Sequence, residues 1–129
     1  MTQLRKILHV EDDADIQEIA AIALEAVGGF EIVQFLSGAE AIAAAPGYGP
    51  DLFLLDVMMP GLGGEETLLA LRALPGLGEV PAIFMTAKAL EADVQALREL
   101  GALGVITKPF DPMSLAEEIK ALWRASGRP

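Results

Sequence analysis

Four apolar runs in this chain each end in a residue that could do chemistry. Glu11, Asp12 and Asp13 follow "KILHV", Asp56 follows "DLFLL", Thr86 follows "AIFM" and Lys108 follows "GVIT". Carboxylates brought together repel one another, and a hard divalent cation relieves that repulsion. Oxygen-only ligands suit Mg2+, which takes one or two protein carboxylates and keeps several waters. A carboxylate can also attack a phosphoryl group and form an acyl phosphate. A metal and a lysine ammonium would then neutralise charge on the transferred group. A threonine hydroxyl can donate to a phosphoryl oxygen. These residue types make a minimal phosphoryl-acceptor kit, provided the fold gathers the four segments.

Each residue alone has a plainer reading. Asp56 suits a turn, and Asp13 suits the N-cap of a helix beginning at Ala14. Glu11 and Asp12 could form a solvated acidic loop. Thr86 could cap a turn, and Lys108 could be a surface lysine before a proline. His9 reads as a satisfied or partly exposed strand residue, because no second histidine exists to complete a metal site. Trp123 and the methionines read as core or helix-face residues, with a rim position, or a place in a dimer face, also open to Trp123. The combined placement of acid pair, acid, threonine and lysine favours the chemical reading.

The elements that would position these residues alternate regularly. Strands are expected at Lys6–Val10, Glu31–Phe35, "DLFLL", Ala82–Met85 and Gly104–Thr107. Helical spacing of Ile16, Ile19, Ala20, Ala23, Leu24 and Val27 marks the first helix, with Gly28-Gly29 as its stop. Ser37 and Glu40 form a capping-box pattern for a second helix that Pro46 should end. Further helices are expected over 65–74, over 90–100 and after the Asp111-Pro112 pair, which reads as N-cap and first helical residue. Strict alternation argues for a parallel sheet covered on both faces. "LFLL" and "AIFM" suit central strands buried on both sides. Right-handed crossovers lead to a doubly wound α/β sandwich. With strand order 2-1-3-4-5, all strand exits meet at the carboxyl edge, where the switch point lies between the first and third strands.

Composition narrows the function classes. A chain of 129 residues, 53% hydrophobic, suits one domain with a real core (expected over 1–129, its core about 5–125). Formal net charge is -10 and no lysine or arginine cluster appears, which disfavours nucleic acid as a partner. No apolar run is long enough for a membrane span, and the polar start does not suit a signal peptide. The absence of cysteine removes disulfides and thiolate metal sites and fits a cytoplasmic location.

The segments "ILHVEDD", "DLFLLDVMMPG", "PAIFMTA" and "GVITKPFDP" together resemble a response regulator receiver domain across essentially the whole chain. The resemblance implies a flavodoxin-like fold and a phosphorylation-dependent switch of a two-component or phosphorelay system, not a turnover enzyme. It implies that Asp56 accepts the phosphoryl group and that Glu11, Asp12, Asp56 and the backbone carbonyl of Met58 hold Mg2+. Thr86 and Lys108 would contact the phosphoryl group, and the Lys108–Pro109 bond would be cis. The donor would be a histidine kinase or phosphotransfer protein. Output would run through the face of the fourth helix, fifth strand and fifth helix, to a downstream protein, with a second copy of the chain as a further candidate partner.

Three positions depart from the family pattern. Val105 replaces an aromatic residue often found three positions before the lysine, so an aromatic gate there is excluded. Gly63 replaces an aspartate, weakening the cap of the third helix. Met58 and Lys88 occupy the positions that tune autodephosphorylation, and neither suits water positioning, so slow to moderate autodephosphorylation is expected. Two other readings stand beside this one. An unphosphorylated pseudo-receiver would be an interaction module only. A Mg2+-dependent phosphohydrolase would need a general acid near Asp56, where Met58 stands instead. The chain is expected to be either a stand-alone regulator or a receiver from a longer protein.

Overall fold

Buried apolar runs dictate the architecture. The structure, a computed structural model, describes residues 3–87 and 90–128. The elements are β1 (Lys6–Val10), α1 (Ala14–Ala21), β2 (Glu31–Phe35), α2 (Gly38–Tyr48), β3 (Leu52–Asp56), α3 (Gly64–Arg72), β4 (Ala82–Thr86), α4 (Glu91–Glu99), β5 (Ala102–Thr107) and α5 (Leu115–Ala125). The strands form one five-stranded sheet in the order β2-β1-β3-β4-β5, with every pairing parallel. Every residue of β3 and β4 is buried, as central strands covered on both sides must be. The expected doubly wound sandwich is the observed fold.

Strand alternation sends side chains to two separate cores. Ile7, Leu52, Leu54, Ile83 and Met85 meet Ala20, Leu24, Leu115, Ile119 and Trp123 on the α1–α5 side. Leu8, Val10, Phe53, Leu55 and Phe84 meet Ala41, Ala45, Leu68, Leu71 and Leu97 on the α2–α3–α4 side. Trp123 is therefore a core residue, and its indole does not form an exposed rim or docking face. In α4 only Leu97 is fully buried. Val94 and Leu100 beside it lie half-buried.

Several boundaries differ from the sequence expectation. Pro46 does not end α2, which continues to Tyr48. A proline in the last turn forfeits one helical hydrogen bond, to the Ile42 carbonyl, while the stop is supplied by Gly49 at φ 68°. Beyond α1 the chain runs on as a π-helical segment, Ile22–Val27, before Gly28. β5 starts at Ala102, two residues earlier than expected, because Ala102 pairs with Ala82 before the register shifts. Asp111 caps a turn rather than α5 itself. Its carboxylate accepts from Met113 N at 2.9 Å, and α5 begins at Leu115.

Gly63, lacking a side chain, cannot cap α3, but Glu66 Oε1 accepts from Gly63 N at 3.2 Å. The next residue fixes how closely α3 approaches β3. A Cβ on Gly64 would lie 2.4 Å from the Asp56 carbonyl oxygen and 3.0 Å from Val57 Cα. Both are backbone atoms of the strand exit and cannot swing away. Gly64→Ala is expected to lower unfolding stability by about 1–3 kcal/mol, the usual cost of overpacking. Urea denaturation measures this, and a loss under about 0.5 kcal/mol, typical of surface changes, would contradict it.

Candidate functional site

Parallel strands place all their carboxyl ends on one edge, and four of the five contribute side chains there. Glu11 follows β1, whose ladder extends through Glu11 N donating to Phe35 O at 3.1 Å. Asp56 and Thr86 are the last residues of β3 and β4. Lys108 follows β5, and its N–H donates to Thr86 O at 2.8 Å, tying the two exits together. The Lys108–Pro109 bond is cis. Glu11, Asp12, Asp56, Met58, Thr86 and Lys108 all line one cavity of about 640 Å3.

The acidic run divides its labour. Asp13 caps α1, accepting from Asp15 N at 2.9 Å and Ile16 N at 3.3 Å. Glu11, Asp12 and Asp56 each offer a carboxylate oxygen within 4.8 Å of the others. Glu11 and Asp56 are buried at 1% and 4% exposure, while Asp12 is exposed. Lys108 Nζ lies 2.8 Å from Glu11 Oε1 and 3.3 Å from Asp56 Oδ1. Glu11 Oε2 also accepts from Asp13 N at 3.2 Å.

Burial dominates the electrostatics. It pushes the Glu11 carboxyl up to about 7, against the Lys108 hydrogen bond and with the Asp56 charge adding to the rise. Burial likewise raises Asp56, and the Lys108 charge only partly opposes it. Burial works against the Lys108 ammonium, but its hydrogen bond to Glu11 and the Asp56 charge outweigh that and raise it. The donor set fits a hard divalent ion. It consists of carboxylate oxygens without thiolate or imidazole, and one carboxylate faces solvent, where retained waters would sit.

His9 is more enclosed than the sequence suggested. It is fully buried, not partly exposed, and among the described residues Nε2 has no hydrogen-bond partner. Burial and the Lys108 charge lower its pKa to about 4. Gln34 Nε2 lies 3.1 Å from its Nδ1. Met58 is 77% exposed at the cavity mouth. Val105 lies half-buried against the α4-side core. Lys88 falls outside the described residues. Sequence reasoning missed Asp93 and Ala96 of α4, which also line the cavity. Asp93 reads locally as an ordinary acidic residue of a first helical turn, so no sequence signal separated it.

Comparison with known proteins agrees with this geometry. Residues 7–120 match the model of the response regulator receiver domain. The phosphate regulon transcriptional regulatory protein PhoB of Pseudomonas aeruginosa is 40% identical over 124 residues, covering 95% of this chain and 53% of that protein. The DNA-binding response regulator MtrA of Mycobacterium bovis is 38% identical over 123 residues, covering 95% of this chain and 52% of its own length. The chain thus spans about half the length of these curated relatives. Among solved structures, chemotaxis protein CheY4 of Vibrio cholerae superposes with a TM-score of 0.85 at 28% identity, over 93% of this chain and 99% of that one. The chain belongs to the response regulator receiver domains, the phosphorylation-dependent signalling switches of two-component systems.

Proposed function

We propose that Asp56 is the phosphoryl acceptor, with Glu11, Asp12 and the Met58 carbonyl completing a Mg2+ site. The observation that carries this reading is the Lys108 ammonium set between Glu11 and Asp56 at the sheet's carboxyl edge. A carboxylate oxygen of Asp56 attacks phosphorus. The new O–P bond forms as the bond from phosphorus to the donor breaks, and the donor leaves with its electron pair. The donor is a phosphohistidine of a histidine kinase or phosphotransfer protein. Bound Mg2+ would supply charge neutralisation for the phosphoryl oxygens. Lys108 turns from its carboxylate partners toward the added charge, and the Thr86 hydroxyl donates to a phosphoryl oxygen. This is one event per signalling cycle, not turnover of a substrate.

Output through α4, β5 and α5 follows from burial. α4 is weakly anchored, and its Asp93, Ala96 and Leu97 line the same cavity as Asp56. Added charge at Asp56 biases the position of α4, and a downstream protein reads that face. A second copy of the chain is the other candidate for it. A cytoplasmic location fits this role. Among the described residues, no helix is long and apolar enough to cross a membrane. The domain itself binds no nucleic acid in this reading, in keeping with its net charge of -10.

Intact mass after incubation with Mg2+ and acetyl phosphate tests the assignment. One phosphoryl group is expected, dependent on Mg2+ and lost in Asp56→Asn. No label, or equal label in the variant, would favour an unphosphorylated pseudo-receiver. Steady release of phosphate from many esters would favour a phosphohydrolase.

The raised carboxyl pKa values predict a pH dependence. Folded Glu11 holds its proton up to about pH 7, whereas the unfolded chain releases it near the ordinary 4.5. The folded state therefore binds more protons within that window, and metal-free stability falls as pH rises through it. Thermal melts should show this fall, and added Mg2+ should stabilise more at the upper end of the window than at the lower. Stabilisation by Mg2+ that is independent of pH would contradict the linkage.

We also infer slow to moderate autodephosphorylation, because the exposed thioether of Met58 cannot orient a water. The phosphorylated protein should persist well beyond seconds by phosphate-release kinetics, and Met58→Asn, which supplies an amide, should shorten its lifetime. An unchanged lifetime in the variant would count against Met58 as the determinant.

A further inference from the structure

A chain of half-buried amides runs beneath the acid pair. Strand alternation puts Ile7, His9 and Glu11 on the same face of the sheet. Ile7 there meets an apolar core, whereas His9 meets Gln34 of β2. The Gln34 side-chain amide donates to the backbone carbonyl of Gln17 in α1 at 2.8 Å. The Gln17 side-chain amide in turn donates to the backbone carbonyl of Glu11 at 3.1 Å.

These contacts fix the proton positions. The Gln17 carbonyl can only accept, so the Gln34 atom facing it is the NH2 group. Its second hydrogen points to His9 Nδ1, which must accept. His9 is then the neutral Nε2–H tautomer, with that N–H buried and unpartnered among the described residues. A fully buried imidazole carries a desolvation cost that an aliphatic side chain would not, and two half-buried amides add to it. A device that only held α1 on the sheet would be served by apolar contacts. This one ends on the main chain of Glu11.

We propose that His9, Gln34 and Gln17 form a positioning relay that fixes the Glu11 backbone, and with it the spacing of the acid pair for a divalent cation. The inference rests on the Mg2+ reading of the site. Glu11 N is already held by Phe35 O of β2. The relay holds its carbonyl from α1, and Gln34 locks α1 to the same strand. Both sides of the Glu11 residue are thus referred to β2, so a shift of the loop breaks at least one of these hydrogen bonds.

The test is Mg2+ affinity by titration calorimetry, beside thermal melting of the metal-free protein. Gln17→Met and Gln34→Met keep side-chain length and remove the donor. Each is expected to weaken Mg2+ binding about tenfold, as outer-shell changes do, while metal-free melting falls only by the cost of one unmade hydrogen bond. The double variant should bind no more weakly than Gln17→Met alone, because both act through one contact. Should Gln34→Met fail to fold, His9→Leu removes the acceptor without touching either amide and carries the same expectation. Parent-like affinity in folded variants, or losses that add, would overturn the relay. Asp12→Asn serves as the site control. If the parent binds no Mg2+, the reading of the site itself falls, and the relay with it.

Discussion

Two carboxylates, Glu11 and Asp56, are buried side by side with one ammonium, that of Lys108, between them. Alone, the pair of carboxylates would repel in a medium that screens poorly. Lys108 offsets that repulsion, and removing one partner from a buried ion pair commonly costs about 3–5 kcal/mol. Glu11 and Lys108 lie 97 residues apart. The strands that carry these three residues must therefore be in register before the site exists. With Asp12 nearby, three carboxylates face this single ammonium, so negative charge outnumbers positive at the site.

The parallel sheet makes this arrangement possible. In an antiparallel sheet, successive strand ends would fall on opposite edges, and the acids, threonine and lysine would be separated. Here β1, β3, β4 and β5 deliver them to one edge. The sheet is rigid where it bears the site, since every residue of β3 and β4 is buried. Gly64 brings α3 against the Asp56 carbonyl at a distance that no Cβ would allow. Asp56 is thus clamped from behind and faces the cavity in front.

Rigidity is not uniform across the molecule. α4 buries only Leu97, and its Asp93, Ala96 and Leu97 line the cavity. Its C-terminal end is better fixed, because the Arg72 guanidinium of α3 donates to the Leu100 carbonyl and lies within 3.5 Å of the Gly101 carbonyl. A helix anchored at one end over a charged cavity can respond to that charge, because few buried contacts resist its movement. The same structure holds Asp56 firmly and α4 lightly.

Much of this was legible in the chain itself, for physical reasons. Runs such as "LFLL" and "AIFM" can only be central strands, because burial on both faces leaves no polar position. Alternation with helices then implied a parallel sheet, and a parallel sheet placed Glu11, Asp12, Asp56, Thr86 and Lys108 on one edge. Local signals failed where distant contacts decided. Pro46 reads as a helix stop, but the chain needed only Gly49 to turn. Trp123 could have lain on either side of α5 until the core claimed it. His9 looks like one polar residue in a strand, and its partner Gln34 stands 25 residues away on another strand. Asp93 carries no mark that separates it from other first-turn acids. Sequence by itself determined the fold and the residue types at the site, since both follow from short-range periodicity and strand polarity. Tertiary structure alone decided which of those groups are buried, which share a proton or a cation, and which helix overlooks them, because those depend on distances between segments that the chain order does not record.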